Sequence, residues 1–342
     1  DWNKEEILGN FITIDGISVD EKNGDPMPNQ IEDRIMMARR LIAEKCLYGV
    51  DVNPIAVELA KLSIWLVTLA KSYPFGFLDH NLKCGDSLLG IHRLDQLTKL
   101  NIYPDTVSQL RVFGNSIERA VEESIELRNE IRKTRIRDIN DIHLMEVLNV
   151  EARNKISIVE KIADAVIGKA LISGGNKNLL TRFLDDLAIL VSESIEGNVD
   201  AVKKIIEESI QDLEIDFIYE KTSRKPLHWV LEFPEVFSGG GFDAIIGNPP
   251  FMGGQKISGN FGSSYREYLV SKLAFDKKGS ADLCAYFFLR SAYLIKNRGR
   301  LGLLSTNTIS QGNTREVGLD QLVEHGFIIT SAIPSMKWPG KA

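Results

Sequence analysis

Asn248, Pro249, Pro250 and Phe251 stand in a row directly after the apolar run Phe242-Asp243-Ala244-Ile245-Ile246-Gly247. That run is opened by Gly239-Gly240-Gly241 and has the length and β-branched centre of a short buried strand. A polar amide therefore falls at the C-terminal end of a core strand, where open α/β sheets hold their ligands. The two prolines fix φ and supply no N–H, so the loop is stiff and cannot prolong the strand. Their carbonyls are free to accept, and an aromatic ring follows at once. An amide, carbonyls and a ring on a rigid loop suit the grip of a flat molecule with an exocyclic amino group.

Two carboxylates precede this loop in the chain. Asp51 closes the apolar stretch that begins at Cys46, and Asn53-Pro54 follows with a favourable N-cap and a proline for the first helical position. Asp86 closes a second short run, 81–85. An acid at the end of the second strand of a nucleotide-binding fold accepts hydrogen bonds from ribose hydroxyls. The plainer alternatives are a capping role for Asp51 and a turn role for Asp86.

The elements that must position these residues follow from periodicity. A helix is predicted over 31–45, a strand over 46–51, a helix over 55–71 and a strand over 81–85. The second of these helices is apolar nearly all round (Leu59, Leu62, Ile64, Trp65, Leu66, Leu69), so it is expected to be buried against a sheet. Strand, helix, strand is the parallel doubly wound order. From 95 to 216 no strand is evident, and charged amphipathic helices are predicted over 116–137, 147–171 and 199–215, with Gly174-Gly175-Asn176 ending the second. The sheet resumes at Phe242. A helix over 280–296, a strand over 300–305, a helix over 307–324 and a last strand over 327–333 complete the reading. Asn23-Gly24-Asp25-Pro26 is a loop, and the stretch Met252-Gly253-Gly254 to Gly262 is expected to be mobile. The expected architecture is α/β: a Rossmann-like, doubly wound, mostly parallel sheet with a large helical insertion. Its segments are 1–94, 95–226 and 227–342.

Composition sets limits. The chain has 342 residues, 44% hydrophobic and 26% charged, which is ordinary for a globular protein. No run approaches a membrane span. Cys46, Cys84 and Cys284 lie far apart without zinc-like spacing, and the five histidines form no ligand pattern, so neither a metal site nor a disulfide is expected. Lys and Arg number 41 against 47 Asp and Glu, giving a net charge of −6. A polyanion-binding protein would have to concentrate its positive charge on one face or place it outside this chain. Arg128, Arg132, Lys133, Arg135 and Arg137 make one basic cluster, interleaved with Glu126 and Glu130. A solvated helix face is the simple explanation, and a phosphate or domain contact is the functional one.

Asn248-Pro249-Pro250-Phe251 resembles the catalytic motif of the amino methyltransferases that methylate adenine N6 in DNA with S-adenosylmethionine (SAM). Leu47 to Pro54 and Lys83 to Leu88 resemble that family's second and third cofactor motifs, and Gly279 to Phe288 and Leu301 to Asn307 also fit. The ordered set is similar to the large adenine-specific methyltransferases of type IIG restriction–modification and phage-defence systems, which are prokaryotic and cytoplasmic. The resemblance implies a SAM-dependent methyltransferase fold with SAM as cofactor and double-stranded DNA as substrate. It assigns SAM contacts to Asp51, Val52, Asp86, Ser87, Leu88 and Asn248, with Asp51 on the ribose and Asp86 on the adenine amine. Asn248, Pro249, Pro250 and Phe251 become the catalytic set.

The family's glycine-rich loop has no counterpart before Leu47, so the first strand and its loop, together with specificity or nuclease domains, are expected outside this chain. A glutamine or RNA methyltransferase, or a binding module of the same fold without catalysis, is the alternative reading. For adenine, the N6 lone pair is delocalised, and two acceptors on its hydrogens would stabilise the charge growing there. The Asn248 amide oxygen and the Pro249 carbonyl are the expected acceptors. The base must be flipped out to reach them, and Phe251 would stack on it.

Overall fold

The computed structural model describes residues 11–13, 16–19, 26–68, 78–103, 111–134, 136, 138–216 and 223–335. Asn23, Gly24 and Asp25 of the expected loop, Leu69 to Lys71 of the expected helix, and Arg135 and Arg137 lie outside them. Tertiary contacts divide the chain into two units, 1–85 with 122–155, and 86–121 with 156–342.

In the first unit, β1 (Phe11–Ile12) pairs antiparallel with β2 (Ser18–Val19), and α1 is Ile31–Lys45. Ile12, Met27 and Met37 form a small core there with Leu41. Next come β3 (Gly49–Asp51), α2 (Pro54–Val67) and β4 (Leu82–Cys84), with β3 and β4 parallel. Asn53 caps α2 as its sequence suggests, its side chain accepting from the Ile55 N–H at 2.9 Å. The expectation that α2 is buried is overturned. Ile55, Leu59, Leu62 and Leu66 are 45–67% exposed. Among the described residues the sheet beneath it has two strands and covers a single stripe, Val57, Ala60 and Ile64, against Leu78 and Leu82.

Of the later helices, α3 (Gly114–Lys133) and α4 (Ile139–Ile172) supply the first unit with a cluster of Ile131, Ile136, Ile142 and Met145. Two members of the basic cluster, Arg128 and Arg132, are built inward, whereas Lys133 is exposed. Arg128 is 3% exposed and donates to the His80 carbonyl, and Arg132 donates to the Tyr48 hydroxyl and the Lys45 carbonyl. Burial beside Arg128 pushes the His80 imidazole down to about 3.

The second unit contains α5 (Lys177–Ile195), α6 (Val199–Leu213) and then β5 (Phe242–Gly247). Leu180, Leu184, Leu187 and Val191 recur at helical spacing on the buried face of α5, and Ala201, Ile205 and Leu213 do so on α6. After β5 come α7 (Gly254–Phe261), α8 (Ser263–Tyr268), a π-helical turn Leu269–Leu273, α9 (Leu283–Leu294), β6 (Ile295–Leu303), α10 (Gly312–Val317) and α11 (Leu319–Glu324). Strand β6 runs parallel to β5, with Ile245 opposite Leu301 and Gly247 opposite Leu303. It begins earlier than its sequence suggests, directly from the end of α9. Rings of Trp229, Phe233 and Phe237 pack within 6.0 Å of Phe242 and fix where β5 starts.

Two further expectations are corrected. The glycine-rich stretch after the tetrapeptide is helical, because Ile257 is buried and Gly254 lets the chain press onto the backbone of Ser280 and Ala281. A Cβ at Gly254 would stand 2.5 Å from the Ala281 carbonyl oxygen. The run 327–333 is not a strand. It pairs with no strand among the described residues, and Ile328, Ile329 and Ile333 are 56–85% exposed. Among the described residues the expected doubly wound sheet is not seen as such: the parallel pairing consists of two pairs, β3–β4 and β5–β6, and one isolated bridge between Asp86 and Pro226. No described helix is long and apolar enough to cross a membrane.

Candidate functional site

The tetrapeptide leaves β5 at its C-terminal end. Upstream, the parallel ladder runs on by one bond, from the Leu304 N–H to the Gly247 carbonyl at 3.0 Å. Downstream, Leu283 N–H donates to the Met252 carbonyl at 2.8 Å, and Met252 N–H donates to Asp282 Oδ1 at 3.3 Å. Between these anchors Pro249 is buried, while Asn248, Pro250 and Phe251 are exposed. The Phe251 ring is 51% exposed, and it is the residue that sequence reasoning set toward a cleft rather than under the loop. An exposed ring on a chain pinned at both ends can receive a flat partner without first rearranging.

In the first unit, Asp51 and Val52 are exposed at the C-terminal end of β3, Val52 by 69%. Asp51 Oδ1 accepts from the Asn53 N–H at 2.8 Å, and the Asp51 carbonyl accepts from the Gly85 N–H at 3.0 Å. Asn53 does the helix capping, so the acid is a neighbour of the cap rather than the cap itself. An exposed carboxylate at a strand end, with acceptor positions to spare, fits a vicinal diol.

Asp86 is placed very differently. Its Oδ1 accepts from the N–H groups of Leu88 at 2.9 Å and Leu89 at 3.3 Å, and its Oδ2 accepts from the Tyr265 hydroxyl at 2.9 Å. Burial pushes its carboxyl above the usual range, opposed by those hydrogen bonds. The Tyr265 phenol is pushed well up, first by burial and then by the Asp86 charge. Leu88 is 1% exposed, and the Ser87 carbonyl accepts from the Trp229 indole N–H at 3.0 Å. Arg290 Nη2 donates to the Leu88 carbonyl at 2.7 Å, and the Ile91 N–H donates to His228 Nδ1 at 3.3 Å. That acceptor role puts the His228 proton on Nε2, 3.1 Å from Asp164. The turn role of Asp86 is therefore real, and a carboxylate with about four acceptor positions keeps one for an outside donor.

Sequence reasoning missed Tyr265, Trp229, Arg290 and Asp282. Asp282 alone left a local signal, a carboxylate directly before an apolar helix, where an N-cap belongs.

With this geometry in hand, the chain compares directly with known proteins. A family model described as "Eco57I restriction-modification methylase" matches residues 45–325, which include both carboxylate-bearing strand ends and the tetrapeptide. The chain belongs to the Eco57I restriction-modification methylase family. Among curated relatives of this methylase chain is the "Putative type II restriction enzyme and methyltransferase RM.MjaORFECS2P" of Methanocaldococcus jannaschii, 27% identical over 78% of this chain and 22% of that protein. "DNA methyltransferase A" of Bacillus subtilis is 25% identical over 33% of this chain and 13% of its own length. The aligned part of this methylase chain thus spans about a fifth or less of each of these relatives. No solved structure matches it. Among the described residues no group of three or more His, Cys, Asp or Glu could hold a metal ion.

Proposed function

We propose that this chain carries the catalytic part of a SAM-dependent methyltransferase that modifies the N6 amino group of a flipped-out adenine in double-stranded DNA, within a restriction–modification system. The observation that carries the reading is the exposed pair Asn248 and Phe251, set on a doubly anchored, proline-stiffened loop at a parallel strand end. When bound, SAM supplies a methyl group already activated on a sulfonium, so the protein's task is positioning rather than acid–base chemistry. Asn248 Oδ1 and the Pro249 carbonyl accept the two N6 hydrogens, favour a pyramidal nitrogen and stabilise its growing positive charge. Pro250 keeps that pair from relaxing. Phe251 stacks on the extrahelical base, a contact worth roughly 1–3 kcal/mol.

Asp51 accepts from the ribose hydroxyls of the cofactor, with Val52 beside it. Asp86 holds Ser87 and Leu88 in the turn that meets the adenine of the cofactor, and its remaining acceptor position suits the exocyclic amine. Because Arg128 and Arg132 are built into the first unit, phosphate contacts are expected elsewhere.

The test is the identity of the product. The protein incubated with methyl-labelled SAM and duplex DNA should yield labelled N6-methyladenine after digestion to nucleosides. Label on cytosine, on glutamine or on RNA, with none on DNA adenine, would contradict the proposal.

A further inference from the structure

The downstream anchor of the tetrapeptide is one side chain. Asp282 precedes α9, and its Oδ1 accepts from two backbone groups, the Cys284 N–H at 3.0 Å and the Met252 N–H at 3.3 Å. The first bond is an ordinary helix cap. The second reaches back thirty residues in sequence and adds nothing to the helix. It closes a two-way bridge, because Leu283 N–H donates to the carbonyl of the same Met252 at 2.8 Å. Both backbone polar groups of the residue after Phe251 are thus held by the first turn of α9.

Asp282 is itself held. Its N–H donates to Thr314 Oγ1 at 3.1 Å, and Asp282 and Thr314 are 8% and 7% exposed. Water competes poorly for such bonds, and an N–H group left alone there would be costly. Helix α9 is well seated, with Leu283, Ala285, Tyr286 and Leu289 all buried.

We infer that Asp282 is a positioning residue for the tetrapeptide, fixing the backbone that leaves Phe251 so that ring and amide keep one orientation. It touches neither base nor methyl donor. The inference rests on the methyltransferase reading, but its structural half can be measured without turnover.

Asp282→Ala removes the acceptor for both N–H groups, whereas Asp282→Asn keeps a carbonyl oxygen with two lone pairs. Misplacement by about 1 Å can cost on the order of 100-fold in rate. Asp282→Ala should therefore lower kcat roughly 10- to 100-fold with KM for SAM changed less than about 2-fold. Asp282→Asn should recover most of kcat.

Backbone hydrogen exchange, followed by mass spectrometry, gives the independent readout. Exchange at 251–253 should rise in Asp282→Ala, stay near wild type in Asp282→Asn, and leave α5 unchanged in both. Thr314→Val, which keeps the carboxylate, should show a smaller rise at the same place.

If Asp282→Ala does not fold, the Asn and Thr314 variants carry the test. Wild-type exchange at 251–253 in Thr314→Val, or an Asn variant with kcat reduced 100-fold, would overturn the inference. If the wild-type protein proved to methylate something other than adenine, the exchange pattern would still decide the role of Asp282.

Discussion

The segment Asp86–Ile91, which begins at a residue in parallel pairing, and the tetrapeptide Asn248–Phe251, which follows a parallel strand, both belong to the second unit, and they are built in opposite ways. In the first, nearly every polar group named above meets the chain itself. Asp86 holds Leu88, Leu89 and Tyr265, Trp229 holds Ser87, and Arg290 holds Leu88. In the second, the anchors lie outside the motif, at Gly247 and Met252, and the amide and ring between them are exposed. One loop is a finished piece of structure that presents a shape. The other is a stiff frame with its amide and ring left open. Substitutions should therefore separate cleanly, with stability lost in the first loop and function lost in the second.

The sharpest contrast is steric. Gly90 has φ +120° and a Cβ there would lie 2.0 Å from the Leu227 carbonyl oxygen. Gly90→Ala should cost on the order of 3 kcal/mol or more of stability in denaturant melts. Phe251→Ala should leave the melt within about 0.5 kcal/mol. It should weaken capture of an extrahelical adenine by roughly 1–3 kcal/mol in a fluorescence titration. A stable Gly90→Ala, or a strongly destabilised Phe251→Ala, would break the comparison.

The tightly held region also carries a burden of its own. Lys272, in the π-helical turn, is 8% exposed, and its Nζ sits 3.4 Å over the Tyr103 ring without a hydrogen-bond partner among the described residues. It lines a cavity of about 10 Å³ with Gly90, His92, Tyr268 and Arg290, room for about one water. Burial pushes its ammonium down to about 7. The unfolded state therefore binds more protons between pH 7 and 10.5, and the cost of charging Lys272 is full below pH 7. Lys272→Met should raise stability by on the order of 1 kcal/mol below pH 7, the gain fading as pH rises toward 10.5.

The smallest effect expected is at Asp86. Its carboxyl is raised above 3.8, so the folded state binds more protons just above that pH, and its contribution to stability falls as pH rises through the raised value. Asp86→Asn keeps an acceptor for Leu88 and Leu89. It should match or exceed wild type in neutral-pH melts, with the difference vanishing below 3.8. A neutral-pH loss would mean that the charge itself matters to the turn.

Much of this was legible from residue types. The cap at Asn53, a strand directly before the tetrapeptide, and the helix that ends before Gly174 follow from local patterns that the fold keeps, although that strand, read as buried, leaves Ile246 87% exposed. The failures have a common physical cause, because local pattern does not report how much surface a neighbour offers. Helix α2 is apolar enough to be enclosed, yet a two-stranded sheet covers one stripe of it. The run 327–333 has strand composition without a partner strand among the described residues. The glycines after Phe251 read as mobility, whereas Gly254 is a contact surface for Ala281. At the candidate site, the acids and the tetrapeptide stood out because polar residues and prolines there directly follow short apolar runs. Tyr265, Trp229 and Arg290 were not, since each acts through a hydrogen bond to a residue more than a hundred positions away.

The most direct measurement is single-turnover methyl transfer from labelled SAM to duplex DNA by wild type and by Asn248→Ala, with SAM affinity and melting followed in parallel. Loss of one of two preorganised acceptors should reduce the rate by roughly 100-fold or more while SAM affinity and melting stay near wild type. An Asn248→Ala protein that methylates adenine at the wild-type rate would contradict the account.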